Sequence, residues 1–303
     1  MKAALKATLQ RIWGISRDIL PSRLHVIVDH LRRHGTLPNL SDPKTFSDKI
    51  AWRKLNDHDV RMAPLIDKIS AKEEMAARFG SEFTIPTIAT FSSEKDVNFD
   101  ILPYPCVIKA SHGSNMNVFL FQRPTEEQKV RRELHRYLKF KHHAAFEEWA
   151  YSQIVPRLLV EPYVDGGAHG LIDYKLHTFH GKVFAIQVDI DRYTDHRRAF
   201  FNSDWERMSF ELLYPAPPPS VEVPRPAILE EMLVRAQEIG KDFPYVRVDL
   251  YEIDKKTVFG ELTFYPGAGL ERFSPPGWDL KFGSNWTKLT TESLSRSQDP
   301  RTV

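Results

Sequence analysis

Residues Val246-Arg247-Val248-Asp249-Leu250-Tyr251-Glu252-Ile253 and Thr257-Val258-Phe259-Gly260-Glu261-Leu262-Thr263-Phe264 are two β-rich runs around the polar triplet Asp254-Lys255-Lys256. That pattern predicts an antiparallel hairpin. With the turn centred on Lys255, Asp249 faces Glu261 across the ladder and Arg247 faces Thr263. Side chains alternate along a strand, so these four share one face, with Val248, Leu250, Leu262 and Phe264 on the other. Two opposed carboxylates repel unless a cation lies between them. Hard cations such as magnesium take oxygen ligands of this kind, usually shared with substrate phosphates. The plainer alternative is an exposed face whose acids splay into water beside Arg247.

A chain of 303 residues suggests about two domains, and a hydrophobic content of 42% is enough for a sizeable core. The net charge of +2 argues against a nucleic-acid partner. Charge is uneven, however: residues 1–40 carry seven Lys/Arg against two acids. This basic segment reads as one or two helices ending near Gly35, either lying on an anionic membrane surface or solvated and packed on the body. A single cysteine, Cys106, rules out an internal disulfide and suggests a reducing compartment. With no signal-peptide core and no apolar run long enough to span a bilayer, a soluble cytoplasmic protein is expected, with possible contact at the inner membrane face.

Helices are predicted from Phe46 to Leu55, capped by Thr45 or Ser47, and from Asp67 to Gly80. Strands are predicted at Val107-Ile108 and 118–121, then a helix over 126–141 and a strand at 158–160. A second hairpin, 172–179 with 183–191, turns at His180-Gly181-Lys182. The proline-rich stretch 214–226 reads as a rigid connector, and Pro226 as the start of a helix closed by Gly240. From Ser284 onward the chain reads as a polar tail.

A second chemical constellation is Lys109-Ala110-Ser111-His112-Gly113-Ser114-Asn115. A lysine ending a buried strand before a loop of small residues can set a cation and backbone N–H groups around a phosphate. An ordinary hairpin loop is the alternative, since neither a P-loop nor a G-x-G-x-x-G turn occurs. On the next strand pair Asp173, Lys175 and His177 share one face.

Taken in order, Asp67-Lys68, Val107-Ile108-Lys109 with its glycine loop, Val160-Glu161-Pro162-Tyr163, Asp173-Tyr174-Lys175, Arg247-Val248-Asp249 and Phe259-Gly260-Glu261-Leu262-Thr263 resemble an ATP-grasp enzyme. The strings Pro43-Lys44-Thr45-Phe46-Ser47-Asp48-Lys49-Ile50-Ala51-Trp52 and His112-Gly113-Ser114 narrow the resemblance to the TupA-like ATP-grasp family, over about residues 38–283. That family is associated with bacterial cell-surface polysaccharide and teichuronopeptide biosynthesis. The resemblance implies an α+β fold in which two α+β subdomains clasp ATP. The divisions implied are an N-terminal helical region (1–66), a phosphate-loop subdomain (67–160), a metal-site subdomain (161–283) and a flexible tail (284–303).

Carried over by position, the resemblance makes Lys68 and Lys109 phosphate-contacting lysines and residues 111–117, including Ser111, His112, Gly113 and Ser114, a mobile loop over the phosphates. Glu161 and Tyr163 fall in the segment that holds adenine and ribose. Lys175 faces the phosphates, Arg247 stabilises the transferring phosphoryl group, and Asp249 and Glu261 bind Mg²⁺. Thr263 stands where many ATP-grasp enzymes have asparagine, either as a metal contact or as a hydrogen-bonding group. Asn115 replaces a second loop glycine, a change that would stiffen the lid. Arg192, Arg197 and Arg198 are candidates for the acceptor carboxylate, or else lie in a solvated loop. The implied activity is an ATP- and Mg²⁺-dependent carboxylate–amine ligase joining a carboxylate and an amine on small molecules or a polysaccharide precursor. The alternatives are a sugar kinase on the same fold and a non-catalytic scaffold.

Overall fold

Hydrophobic alternation with period two builds both main sheets. The structure, a computed structural model, describes residues 21–166, 170–190, 195–287 and 289. Strands β1 (Ala89–Phe91), β2 (Cys106–Ala110), β3 (Asn117–Leu120) and β4 (Leu158–Pro162) form an antiparallel sheet of order β1-β4-β2-β3. One face carries Cys106, Ile108, Ala110, Val118, Leu120, Leu158 and Val160, which pack with Phe99 and Leu134 into a small core. Strands β5 (Tyr174–Phe179), β6 (Lys182–Ile190), β7 (Arg197–Phe201), β9 (Val246–Ile253) and β10 (Lys256–Thr263) form a second antiparallel sheet of order β10-β9-β5-β6-β7. Its apolar residues, including Leu176, Ile186, Val248, Leu250 and Leu262, join a larger core. β8 (Glu211–Leu212), between β7 and β9 in sequence, pairs with β11 (Phe273–Ser274), which follows β10.

Helices fill the rest. α1 (Ser22–His34) ends at Gly35, whose φ of 79° forms its C-cap. α2 (Phe46–Asn56) is capped by Thr45, which accepts a bond from the Asp48 N–H. The short α3 (Met62–Ile66) leads to α4 (Lys68–Phe79), whose cap Asp67 accepts from the Ile69 and Ser70 N–H groups. α5 (Glu127–Lys139) is the helix expected over 126–141, and the short α6 (His142–Phe146) follows it. α7 (Leu229–Gly240) starts three residues after Pro226, because the Ala227 N–H is tied to the Glu252 carboxylate at 2.8 Å and Ile228 is not helical. The connector 214–226 contains no helix or named strand. α8 (Gly277–Asn285) runs through the expected start of the tail. Trp286 is only 1% exposed and lies 4.1 Å from the Arg53 guanidinium, so the packed chain extends beyond Ser284. Phe46, Ile50, Met62, Ala71 and Met75 all belong to the larger core, so segments on both sides of residue 66 pack with the second sheet. Among the described residues no helix is long and apolar enough to cross a membrane.

The β9–β10 hairpin reaches its expected pairing by a different route. Its turn is the two-residue pair Asp254-Lys255, both at positive φ (51° and 59°), with Ile253 opposite Lys256. Positive φ at both positions is what a tight type I′ turn requires. That register pairs Phe259 with Leu250 and would put Gly260 against Asp249. A bulge between Phe259 and Glu261 instead brings Glu261 opposite Asp249 and Thr263 opposite Arg247. A Cβ on Gly260 would stand 2.9 Å from the Tyr251 ring and 3.0 Å from the Asp249 carbonyl oxygen. Gly260→Ala should therefore cost about 2 kcal/mol in urea unfolding, in the range of overpacking. Gly277→Ala, at a position with nothing within 4 Å of the added carbon, should leave stability unchanged.

Candidate active site

The polar face of the five-stranded sheet forms a floor of interlocked charges. Asp249 is 1% exposed, and both of its oxygens are engaged. Arg247 Nε donates to Oδ1 at 2.7 Å, while Arg247 Nη2 and Lys175 Nζ donate to Oδ2 at 2.7 and 2.8 Å. Lys175 is also 3.0 Å from Asp173. Glu261 Oε2 takes the Lys68 ammonium at 2.5 Å, and its Oε1 is 3.7 Å from Arg247. Burial alone would push the Glu261 carboxyl up, but Lys68, Lys175 and Arg247 together hold it well below the usual carboxylate range. Arg247 Nη2 donates to the Thr263 hydroxyl at 3.0 Å. The Thr263 hydroxyl thereby helps to orient the arginine.

The four-stranded sheet presents the opposing group. Glu161 is buried between Lys109, at 2.6 Å, and Lys72, which donates to its other oxygen. Burial raises the Glu161 carboxyl, and the two ammonium groups reverse this and bring it below its ordinary value. Burial also pulls Lys72 below the ordinary lysine value despite Glu161. Both oxygens of the Glu161 carboxylate are thus engaged by lysines. Tyr163 anchors the chain by its N–H to the Pro105 carbonyl at 3.0 Å, its ring against Phe121. Lys72 was not singled out in the sequence. It lies one helical turn after Lys68 on α4, and that i, i+4 spacing on a helix already carrying a candidate was the available signal. Helix α4 therefore ties both sheets, Lys68 to the floor and Lys72 to the roof.

The glycine loop joins the same cluster. The Ser111 carbonyl accepts the Lys68 N–H at 3.0 Å, and the Ser111 N–H donates to the Arg157 carbonyl at 2.8 Å. Ser111 and His112 are buried, while Ser114 and Asn115 are exposed. Ser111 Oγ and His112 Nδ1 are buried with no hydrogen-bond partner. Two orphaned polar atoms directly after the strand that carries Lys109 leave hydrogen-bonding capacity for a polar ligand. Asn115 has φ 57°, so asparagine supplies the left-handed backbone for which a second glycine was expected. Asp249 and Glu261 offer an all-oxygen pair that suits a magnesium ion completing its shell from phosphate and water. Among the described residues no group of three or more His, Cys, Asp or Glu converges as a protein-only metal cage.

The model of the TupA-like ATP-grasp family matches residues 48–287. The chain belongs to the TupA-like ATP-grasp family. Its fold is accordingly the α+β ATP-grasp fold. Among solved structures, it is similar to D-alanine–D-alanine ligase from Bacillus anthracis at 18% identity and a TM-score of 0.39, covering 68% of this chain. It is also similar to D-alanine–D-alanine ligase from Helicobacter pylori at 17% identity and a TM-score of 0.40, covering 76% of this chain. The chain spans 59% and 61% of the length of those two ligases. A third similar structure is L-amino acid ligase from Bacillus licheniformis, at 16% identity and a TM-score of 0.41, with coverage of 70% of this chain and 43% of the other. No curated protein matches the chain in sequence.

In this ATP-grasp chain the expected residues Lys68, Lys109, Lys175, Arg247, Asp249 and Glu261 form two facing ion-paired groups linked through α4. Of the arginines expected for an acceptor carboxylate, Arg197 and Arg198 pair with other acids. Arg198 is buried and bound to Asp189 at 2.7 Å, Glu271 at 3.0 Å and the Leu212 carbonyl. With two carboxylates already neutralising it, Arg198 ties β7 to its neighbours. Arg197 pairs with Asp195 at 2.7 Å, and Arg192 lies outside the described residues. Lys72→Met should cost about 3 kcal/mol in urea unfolding at pH 7, because it strips one of two cations from a buried carboxylate. Glu161 ionises more readily folded than unfolded, so its contribution is present above about pH 4.5 and is lost as pH falls below that. Stability measured from pH 6 to 3 should fall less steeply in Glu161→Gln than in the parent protein.

Proposed function

We propose that the protein is an ATP- and Mg²⁺-dependent carboxylate–amine ligase that modifies a cell-surface polysaccharide precursor. The observation that carries the reading is the opposed Asp249/Glu261 pair with Lys68, Lys175 and Arg247 bonded to it and Lys109 on the facing sheet. Phosphoryl transfer asks little covalent chemistry of a protein; it needs positioning and positive charge around the phosphate oxygens. Lys109 and Lys68 would contact the triphosphate, and residues 111–117 would cover it with backbone N–H groups. Arg247, fixed by Asp249 and Thr263, would face the γ-phosphoryl group as charge develops there. Asp249 and Glu261 would hold magnesium, which supplies Lewis-acid neutralisation of the phosphates when bound.

An acceptor carboxylate oxygen would then attack the γ-phosphorus, expelling ADP and giving an acyl phosphate. An amine attacks the acyl carbon, phosphate leaves, and the nitrogen loses a proton to give the amide. Family membership supports an acceptor of polysaccharide type, either a uronic acid receiving an amino acid or a short peptide being extended. Incubation of the purified chain with ATP, Mg²⁺ and panels of uronic acids and amino acids should yield ADP, phosphate and an amide mass in equal amounts. Glu261→Gln should lower that turnover at least 100-fold. A phosphorylated sugar in place of the amide would make the protein a kinase, and an undiminished Glu261→Gln would remove the assigned mechanism.

A further inference from the structure

Beneath the glycine loop lies a buried polar pair that the proposed chemistry leaves unused. His142 and Glu148 are both buried, and His142 Nε2 is 2.9 Å from Glu148 Oε2. The imidazole is stacked on Tyr151 with ring centroids 3.9 Å apart and planes 27° from parallel. Held on one edge and one face, the ring has its orientation set. Its other edge meets the loop: a carbon added to Gly113 would stand 3.5 Å from His142 Nδ1. The same segment receives the preceding loop residue, since His112 Nε2 is 3.2 Å from the Phe140 carbonyl oxygen.

The far end of the segment is fixed to the rest of the molecule. Glu147 is 2.6 Å from His25 of α1. Trp149 stacks on His58 at 4.8 Å, and Ala150 is fully buried in the larger core. Residues 140–151 therefore run as a strap from the glycine loop to the body that carries the floor acids. A buried histidine–carboxylate pair is a costly arrangement to keep for packing alone, since apolar side chains of similar volume serve as well or better. Where such a pair occurs, the carboxylate commonly fixes which edge of the imidazole is presented to a third group.

We propose that His142 is a positioning residue for the glycine loop, oriented by Glu148 and Tyr151 so that its Nδ1 edge supports residues 112–114. The loop's backbone N–H groups are then preset, and their placement is coupled through the strap to the body of the protein. The consequence for nucleotide binding rests on the reading of residues 111–117 as a phosphate loop; the mechanical support does not.

The test compares the full-length chain with His142→Phe/Glu148→Gln, which keeps a ring on Tyr151 and leaves no buried unpaired carboxylate. Hydrogen exchange of the peptide covering 110–117 is measured without ligand, together with the β5–β6 hairpin as an internal reference. Calorimetry with Mg·ATP and steady-state turnover follow. The loop peptide should exchange at least 10-fold faster while the hairpin is unchanged. The Kd for Mg·ATP should weaken at least 5-fold, and KM for ATP should rise while kcat at saturation stays within two-fold. Glu148→Gln, which retains an acceptor for Nε2, should lie within three-fold of the parent in each measure. Loop exchange within two-fold of the parent overturns the proposal, as does equal acceleration in loop and hairpin. If the double variant fails to fold, His142→Gln is judged by the same criteria. Absence of nucleotide binding by the parent would remove the proposed function, while the exchange rates would still decide the role of His142.

Discussion

Strand β10 carries one residue more than its ladder with β9 needs, and the meeting of Glu261 and Thr263 with the charges of β9 follows from where that residue, Gly260, sits. Side chains alternate with period two, so a slip of one residue moves a whole strand's set to the opposite face. Without the bulge, the tight turn at Asp254-Lys255 would set Glu261 against Val248, on the apolar side. With it, Phe259 remains buried beside Leu250, and Glu261 turns to face Asp249. Arg247 then reaches Asp249, Thr263 and Glu261 from one position. A glycine is required because the Tyr251 ring and the Asp249 carbonyl close on the space a side chain would take.

Helix α4 depends on that arrangement and extends it. Asp67 starts the helix by accepting two of its first N–H groups, and Arg157, 3.2 Å from Asp67, pins the cap. The start point decides the rest: Lys68 in the first turn meets Glu261, and Lys72 one turn later meets Glu161. A helix begun one residue away would rotate both lysines by about 100° and break both pairs. The link between the sheets is therefore set by a capping aspartate and a helical repeat.

Much of this was legible in the sequence, for identifiable reasons. Alternation fixed the faces of β9 and of β10 beyond Gly260, and Asp67 and Gly80 marked the ends of α4. The pairing of Asp249 with Glu261 was reached correctly, but through a three-residue turn that does not exist. The true turn and the bulge offset one another, and Asp254 and Lys255 give little sign that both adopt positive φ. Lys72 was missed because its meaning depends on Glu161, 89 positions away, arriving on the facing strand. The partners of Arg198 were hidden for a related reason: it pairs with Asp189 and Glu271, and Glu271 comes from a distant segment. Trp286 looked like tail because its partners, Arg53 and Tyr245, lie far back in the chain.

The two lysine–carboxylate pairs on α4 differ in exposure, and the difference gives them different parts to play. Lys72 and Glu161 have side chains 8% and 6% exposed, and Glu161 has a second cation in Lys109. Removing either partner would strand a charge in a poorly solvated place, so this pair resists opening. Lys68 and Glu261 are 16% and 32% exposed, so water can take over part of each partner's solvation and the pair opens at lower cost. A cation or phosphate entering the cleft would therefore exchange first with Lys68 and Glu261, while Lys72 and Glu161 keep α4 fixed to the roof. Lys68 is also the residue whose backbone N–H holds the Ser111 carbonyl. Its side chain can then change partners while its main chain keeps the base of the glycine loop in place.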